Sequence, residues 1–274
     1  MQSTKAWSLR HPEILHLIDI GANLTDKSFK DDLDRVLSRA KQGGVSHIMV
    51  TGTNISSSRR AVALCSKYSG YLSSTAGIHP HHAENPKPGW INEIEEIASS
   101  QCVVAIGETG LDYFRDFSPR SDQRKVFCTQ LELAAKLGLP VFIHDRDSDG
   151  DLLQIVSECR ELKAVVHCFT GSQDLLLKYL ELNLYIGITG WICDERRGIP
   201  LRDIVHLIPN DRLLVETDSP YLLPRSIQPR PRTRRNEPAN LQYVVDEIAS
   251  ARNQSPPEVA QLTSDNAKRL FAIN

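Results

Sequence analysis

Apolar residues in this chain gather in short unbroken runs, and the longer stretches between them place apolar residues three and four apart. The runs cover residues 15–20, 47–53, 72–79, 103–111, 140–147, 164–169, 184–189 and 213–218. Most are nearly continuous Val, Ile, Leu and Ala, as in parallel strands covered on both faces. The intervening stretches predict helices with readable ends. Residues 30–42 carry Leu33, Val36, Leu37 and Ala40 and stop at Gly43-Gly44. Residues 57–68 stop near Gly70, and residues 119–137 open on Pro119 and close at Gly138, with Pro140 beyond. Helices over 237–251 and 256–271 finish the chain, the last behind a Ser255 N-cap with Pro256 in its first turn.

Eight strands alternating with helices over roughly 250 residues predict an α/β fold, a (β/α)8 TIM barrel. The alternative is an open doubly wound sheet. No G-x-G-x-x-G follows the first strand, which counts against a dinucleotide-binding version of it. With no linker, low-complexity tract or fixed-period repeat, residues 14–274 read as one domain and residues 1–13 as an N-terminal extension.

Composition narrows the class. The 274 residues carry 32 basic and 34 acidic side chains, a formal charge of −2, with 41% hydrophobic and 24% charged residues. These values exclude a long disordered chain, a collagen-like repeat and a polybasic nucleic-acid coat. A near-neutral charge also argues against tight non-specific binding of long duplex. Cys65, Cys102, Cys128, Cys159, Cys168 and Cys193 include no pair within four residues, so no zinc knuckle or C-x-x-C motif exists. Cysteines spread this way suit the cytoplasm rather than a disulfide scaffold. The apolar run at residues 14–20 is interrupted by His16 and Asp19, too short to span a membrane and without a cleavage signal.

Candidate chemistry lies at the strand ends, where barrels place their active sites. Asp19 and Asn23 flank the end of the first strand, and His79 ends the third. Glu108, His144, His167 and Asp218 end the fourth, fifth, sixth and eighth. Taken singly, a histidine there is an ordinary core residue and an aspartate a turn or cap residue. Together they are several ionisable groups over one apolar barrel, which must be compensated by one another or by a cation. Two imidazoles and two carboxylates suit Mg²⁺, Mn²⁺ or Zn²⁺ without choosing among them.

The motifs are Asp19-Ile20-Gly21-Ala22-Asn23-Leu24, Gly77-Ile78-His79-Pro80-His81, Ile106-Gly107-Glu108-Thr109-Gly110-Leu111-Asp112, His144-Asp145-Arg146-Asp147, His167-Cys168-Phe169-Thr170-Gly171 and Glu216-Thr217-Asp218-Ser219-Pro220-Tyr221-Leu222. In this order they resemble the TatD family of metal-dependent hydrolases, in the amidohydrolase-like barrel superfamily, from about residue 17 to the C-terminus. Gly187-Ile188-Thr189-Gly190-Trp191, Cys193-Asp194-Glu195-Arg196-Arg197-Gly198 and Arg234-Arg235-Asn236-Glu237-Pro238 resemble its bacterial members. The resemblance implies a Mg²⁺-dependent 3′–5′ exodeoxyribonuclease that prefers single-stranded DNA and also takes RNA. It implies metal ligands at Glu108, His144, His167 and Asp218, and a role for His79 near the scissile phosphate. Many relatives open the first strand with D-x-H-x-H, but here Gly21 and Asn23 replace both histidines. The expectation is one firmly held metal, with Asp19 and Asn23 as further ligands or supports. Any second metal would be recruited partly by substrate phosphate.

Phosphodiester hydrolysis needs an activated water and neutralised phosphate oxygens, which a divalent ion supplies. Asp218 is then ligand and proton acceptor, Glu108 a ligand, and His79 a donor to the phosphate or leaving oxygen. His81 and His82 read as loop histidines, and Asp112 as an anchor for the loop after the fourth strand. Substrate grip is assigned to Arg115, Arg146, Arg225, Arg234, Arg235 and Trp191. The basic stretch holds five arginines within residues 225–235, after the last strand, where barrels often bind phosphate. Tyr113, Phe114 and Tyr221 join Trp191 as candidates for stacking on bases. The partner expected is nucleic acid, with no membrane, no obligate protein partner and a monomeric chain. Two other functions fit less of the pattern. One is an ester or amide hydrolase such as a D-aminoacyl-tRNA deacylase, and the other a non-catalytic scaffold, against which the full ligand set argues.

Overall fold

The computed structural model describes residues 16–159 and 161–273, so the expected N-terminal extension lies outside the described residues. Eight strands form one sheet: β1 Leu17–Ala22, β2 Val45–Val50, β3 Leu72–Ala76, β4 Val103–Asp112, β5 Val141–Arg146, β6 Ala164–His167, β7 Tyr185–Ile188 and β8 Leu213–Val215. They lie in chain order and every adjacent pair is parallel. The sheet closes where β8 meets β1. Asp218 N donates to Gly21 O at 2.8 Å and Asn23 N to Ser219 O at 2.7 Å, beside a parallel bridge between Ala22 and Ser219. The expected barrel is present, and the open doubly wound alternative is ruled out.

The helices between strands are α1 Leu33–Gln42, α2 Ile55–Lys67, α3 Trp90–Ala98, α4 Arg120–Leu137, α5 Asp151–Ser157, α6 Gln173–Glu181 and α7 Ile199–Ile204. After β8 come α8 Leu241–Arg252 and α9 Pro256–Phe271. The end signals act as read. Gly138 caps α4 in the left-handed region, and Ser255 and Glu258 form a reciprocal capping box at α9.

The core has two parts. Helix faces pack on the outside of the sheet around residues such as Val36, Phe127 and Val244. A second cluster of Ile18, Ile20, Met49, Ala105, Phe142, Val165 and Leu214 fills the barrel, joined by Leu270 and Phe271 of α9. Strand side chains alternate with a period of two. Two residues beyond Phe142, Val165 and Leu214, the same faces therefore carry His144, His167 and Glu216. The polar site is the next layer above the apolar filling. The expected runs overshoot the ladder, because β3 stops at Ala76 and β8 at Val215. The residues beyond leave it to build the site. His79 caps a 3₁₀ turn, Pro80–His82, and Asp218 turns into the left-handed region at φ 50°.

Candidate active site

Glu108 reaches the barrel axis through an irregularity. Strict alternation from Ala105 would turn residue 108 toward the helices. The β4–β5 pairing shifts register between Gly107 and Thr109, and such breaks re-aim side chains. Gly107 sits at φ 149°, and a Cβ there would lie 2.4 Å from Phe142 O, so no other residue fits the break.

Three imidazoles converge on one oxygen of Glu108. Its Oε1 lies 2.8 Å from His167 Nε2, 3.1 Å from His144 Nδ1 and 3.3 Å from His79 Nε2. Burial opposes charge on Glu108, yet His79 and His167 outweigh it and hold the carboxyl well below its usual range. Burial likewise opposes charge on His167, and Glu108 and Glu216 reverse that, raising its pKa well above the ordinary value. His144 is raised too, because Asp112 and Glu108 outweigh its burial. His79 goes the other way, down to about 4, because burial exceeds the pull of Glu108.

The second nitrogen of each ring assigns its role. His79 Nδ1 accepts from the backbone N of His81 at 3.0 Å. A neutral His79 ring therefore carries its proton on Nε2 and is a donor toward the site. His167 Nδ1 lies 3.4 Å from Glu216 Oε2. Donation to that carboxylate keeps the proton on Nδ1, so that Nε2, which faces Glu108, is the nitrogen that would lose its proton to ligate a cation, an arrangement common to metal-binding histidines. Glu216 is fully buried, and its Oε1 accepts from Cys168 N at 2.6 Å. Gly21 and Gly187 make room for it, since a Cβ at either would fall within 2.8 Å of a Glu216 carboxylate oxygen.

His144 Nε2 is an ion-pair distance of 3.3 Å from Asp112 Oδ2 but is a buried polar atom without a hydrogen-bond partner among the described residues. An orphaned imidazole nitrogen beside a buried carboxylate and a second imidazole is a donor set that fits a divalent cation. The ligand atoms of His79, Glu108 and His144 lie within 4.8 Å of one another, close enough to hold one. The tautomer of His79 makes it the hydrogen-bond donor of this trio.

Asp218 completes the floor. Its Oδ1 accepts from Asn23 Nδ2 at 2.9 Å, so the neutral residue at the usual histidine position serves a carboxylate. Burial pushes Asp218 up to about 8, against the opposing charge of His167. Asp19 lies behind it, fully buried, with Oδ1 accepting from Thr217 N at 2.9 Å and Gly21 N at 3.3 Å. Asp112 accepts from Arg115 N at 2.8 Å, the loop anchor expected, and also lies 2.7 Å from His81 Nε2. His81 is thus part of the site's polar network as well as its loop.

Glu108, His79, His144 and Asp218 border a cleft of about 630 Å³. Its other wall comes from the loop after β1, with Asn23, Thr25 and Lys27, and from the start of α2, with Thr53, Asn54 and Arg60. Of this wall, sequence reasoning had singled out Asn23 alone. None of Arg115, Arg146, Arg225, Arg234, Arg235 or Trp191 lines the cleft. Arg225 pairs with Asp194 at 3.1 Å and Glu195 at 3.0 Å. Arg235 holds Asp32 through two 2.8 Å bonds and Glu237 through one of 2.7 Å. Arg234 borders a separate cavity of about 540 Å³ with Arg225, Arg230 and Arg232. Arg146 lies 4.4 Å and Arg115 5.5 Å from the Phe114 ring centre. Trp191 is half-buried and donates to Arg197 O at 3.2 Å. Tyr113 is buried, whereas Phe114 and Tyr221 are each 55% exposed, and Tyr221 borders the cleft.

A family profile described as TatD related DNase matches residues 18–272. A protein of Pectobacterium carotovorum named 3′-5′ ssDNA/RNA exonuclease TatD is 46% identical over 259 residues, covering 94% of this chain and 100% of that protein. One of the same name from Erwinia tasmaniensis is 48% identical over the same length and shares of both chains. A TatD homolog from Escherichia coli superposes with a TM-score of 0.87 at 28% identity, covering 96% of this chain and 100% of that one. A TatD family hydrolase from Entamoeba histolytica gives 0.86 at 30%, with the same coverage. The chain belongs to the TatD related DNase family.

Proposed function

We propose that this chain is a metal-dependent 3′–5′ exonuclease of single-stranded DNA and RNA. The observation that carries the reading is the convergence of His79, His144 and His167 on Glu108 Oε1 at the floor of an open cleft. The 46% identity to proteins named as such exonucleases supports the same reading.

Glu108, His144 through its orphaned Nε2, His167 and Asp218 would hold the cation, with Mg²⁺ as the ion proposed. When bound, the cation supplies charge neutralisation at the phosphate and a more acidic water. Glu216 holds the His167 ring in orientation through Nδ1. Asn23 fixes Asp218 by Oδ1, and Oδ2, with no hydrogen-bond donor among the described residues, takes the proton of the attacking water. His79 donates from Nε2 to a phosphate oxygen or the departing sugar oxygen, its ring held by the backbone of its own turn. Asp19 braces the β8 end through Thr217 rather than facing substrate.

The six thiols are unpaired, which suits a reducing cytoplasm. No helix among the described residues is long and apolar enough to cross a membrane.

The test is a 5′-labelled single-stranded oligonucleotide incubated with Mg²⁺ or with chelator. The expected result is a ladder shortening from the 3′ end, dependent on metal and absent in Glu108→Ala. No cleavage with Mg²⁺, Mn²⁺ or Zn²⁺ would overturn the reading and make aminoacyl-tRNA the next substrate to try.

A further inference from the structure

The cleft wall opposite the metal site carries two cations that pair with no carboxylate among the described residues. Lys27 follows β1 and Arg60 lies in α2, and both are exposed on the same cleft. Arg60 Nη1 donates to Ser56 Oγ at 2.7 Å, and neither residue has a carboxylate partner among the described residues. Their neighbours show that partners were within reach of such chains. Arg59 turns away to Glu93 at 3.3 Å and Glu96 at 3.2 Å. Asp26, the carboxylate on this wall among the described residues, accepts from the backbone N of Ser28 through Oδ1 at 2.8 Å.

Two unpaired cations facing a cation site across one cleft suit a ligand whose negative charges repeat. An ammonium and a guanidinium both bind phosphate, the second with two donors at once. Strand polarity decides which phosphate. An enzyme that removes the 3′-terminal nucleotide has no phosphodiester beyond the scissile one on the 3′ side. A second phosphate in the cleft must lie on the 5′ side, in the strand that is kept. We propose that Lys27 and Arg60 hold the phosphate immediately 5′ of the scissile one and so position the retained strand. The proposal rests on the exonuclease reading.

The test uses the full chain and decathymidylate with either a natural or an uncharged methylphosphonate linkage next to the 3′-terminal one. The first cleavage is timed. In the wild type, removing that charge should raise KM about tenfold with kcat changed less than twofold. In Lys27→Gln/Arg60→Gln both oligonucleotides should show the raised KM and differ less than twofold, the behaviour of two partners in one interaction. The slope of log KM against log salt should fall by about 0.7, because one phosphate of the single strand is no longer neutralised. Lys178→Gln, which removes one charge on the outer helix α6, controls for net charge, and thermal melting checks folding. A methylphosphonate effect that is absent in the wild type, or equal in the double variant, would overturn the subsite and leave the exonuclease reading standing. Failure of the wild type to cut either oligonucleotide would overturn both.

Discussion

The floor of the cleft and the arginine-rich segment after β8 both gather charge at the mouth of the barrel, and they use it oppositely. On the floor, buried groups turn on one another around Glu108 and still leave His144 Nε2 without a partner. Beyond β8 the arginines sit nearer to water, yet Arg225 and Arg235 are taken up by Asp194, Glu195, Asp32 and Glu237. The first arrangement is a donor set that suits a cation. The second is a brace, because Arg235 also donates to Ser28 O at 2.7 Å and so ties the loop that carries Lys27. Local density of charge does not mark a binding surface; an unpartnered polar group does.

The floor is the place to look for the largest effect. Glu108→Gln keeps the shape and removes the charge that faces three imidazoles. Exonuclease rate should fall about 10³-fold or more, since a ligating carboxylate contributes several kcal/mol of charge stabilisation. A rate within tenfold of wild type would show that the convergence on Oε1 is structural. One step out, Glu216→Gln should weaken cation affinity about 10–100-fold while the fold persists, because the partner of a ligating histidine sets its orientation. Calorimetric titration with Mn²⁺ reads this directly, and an unchanged affinity would remove Glu216 from the account.

The brace should answer in stability instead. Arg235→Ala leaves Asp32, at 18% side-chain exposure, with Arg39 at 3.5 Å, and leaves Glu237, at 16%, to the two bonds it accepts from Arg39. A loss of about 1–2 kcal/mol follows for a pair this shielded, or a Tm lower by about 2–6 °C in a chain of this size. KM should rise about twofold through the loosened Ser28 loop, well short of the effect of losing both Lys27 and Arg60. A tenfold rise in KM with unchanged Tm would reverse the assignment and return Arg235 to the substrate.

Much of the floor was legible in the sequence because β alternation is rigid. His144 and His167 follow Phe142 and Val165 by two, so any strand reading stacks them over the apolar layer. Glu108 was legible as a residue type at a strand end, but its inward aim depends on the β4 register break, which alternation alone would have reversed. Glu216 was hidden inside an apparently apolar strand, and its signal was the pair of strand glycines, Gly21 and Gly187, that face it. Lys27 and Arg60 were not legible, since one follows β1 and the other lies in α2, and only the β1–β2 neighbourhood brings them to one wall. For the arginines after β8, composition shows charge without its partner: Arg225 and Arg235 are held by carboxylates, and Arg230, Arg232 and Arg234 border a cavity apart from the cleft. Asp194, Glu195 and Glu237 stood in the same motifs and were the available warning.

The smallest effect is in pH, and it separates brace from site most cleanly. The Arg235 hydrogen bonds hold Asp32 below its usual 3.8 against the opposing cost of burial, with the charges of Arg235 and Arg39 adding to them. A carboxyl lowered on folding adds stability while the unfolded group is ionised, and loses it as pH falls through the folded value. The Tm gap between wild type and Asp32→Asn should therefore be steady from pH 7 to about 5 and close progressively below about 4. Other carboxylates titrate in both proteins and cancel in the difference. A gap that stays constant to pH 3 would mean that Asp32 contributes packing rather than charge. The charge part of the brace after β8 would then rest on Glu237, which Arg235 and Arg39 share, with Ser28 O as the remaining acceptor for Arg235.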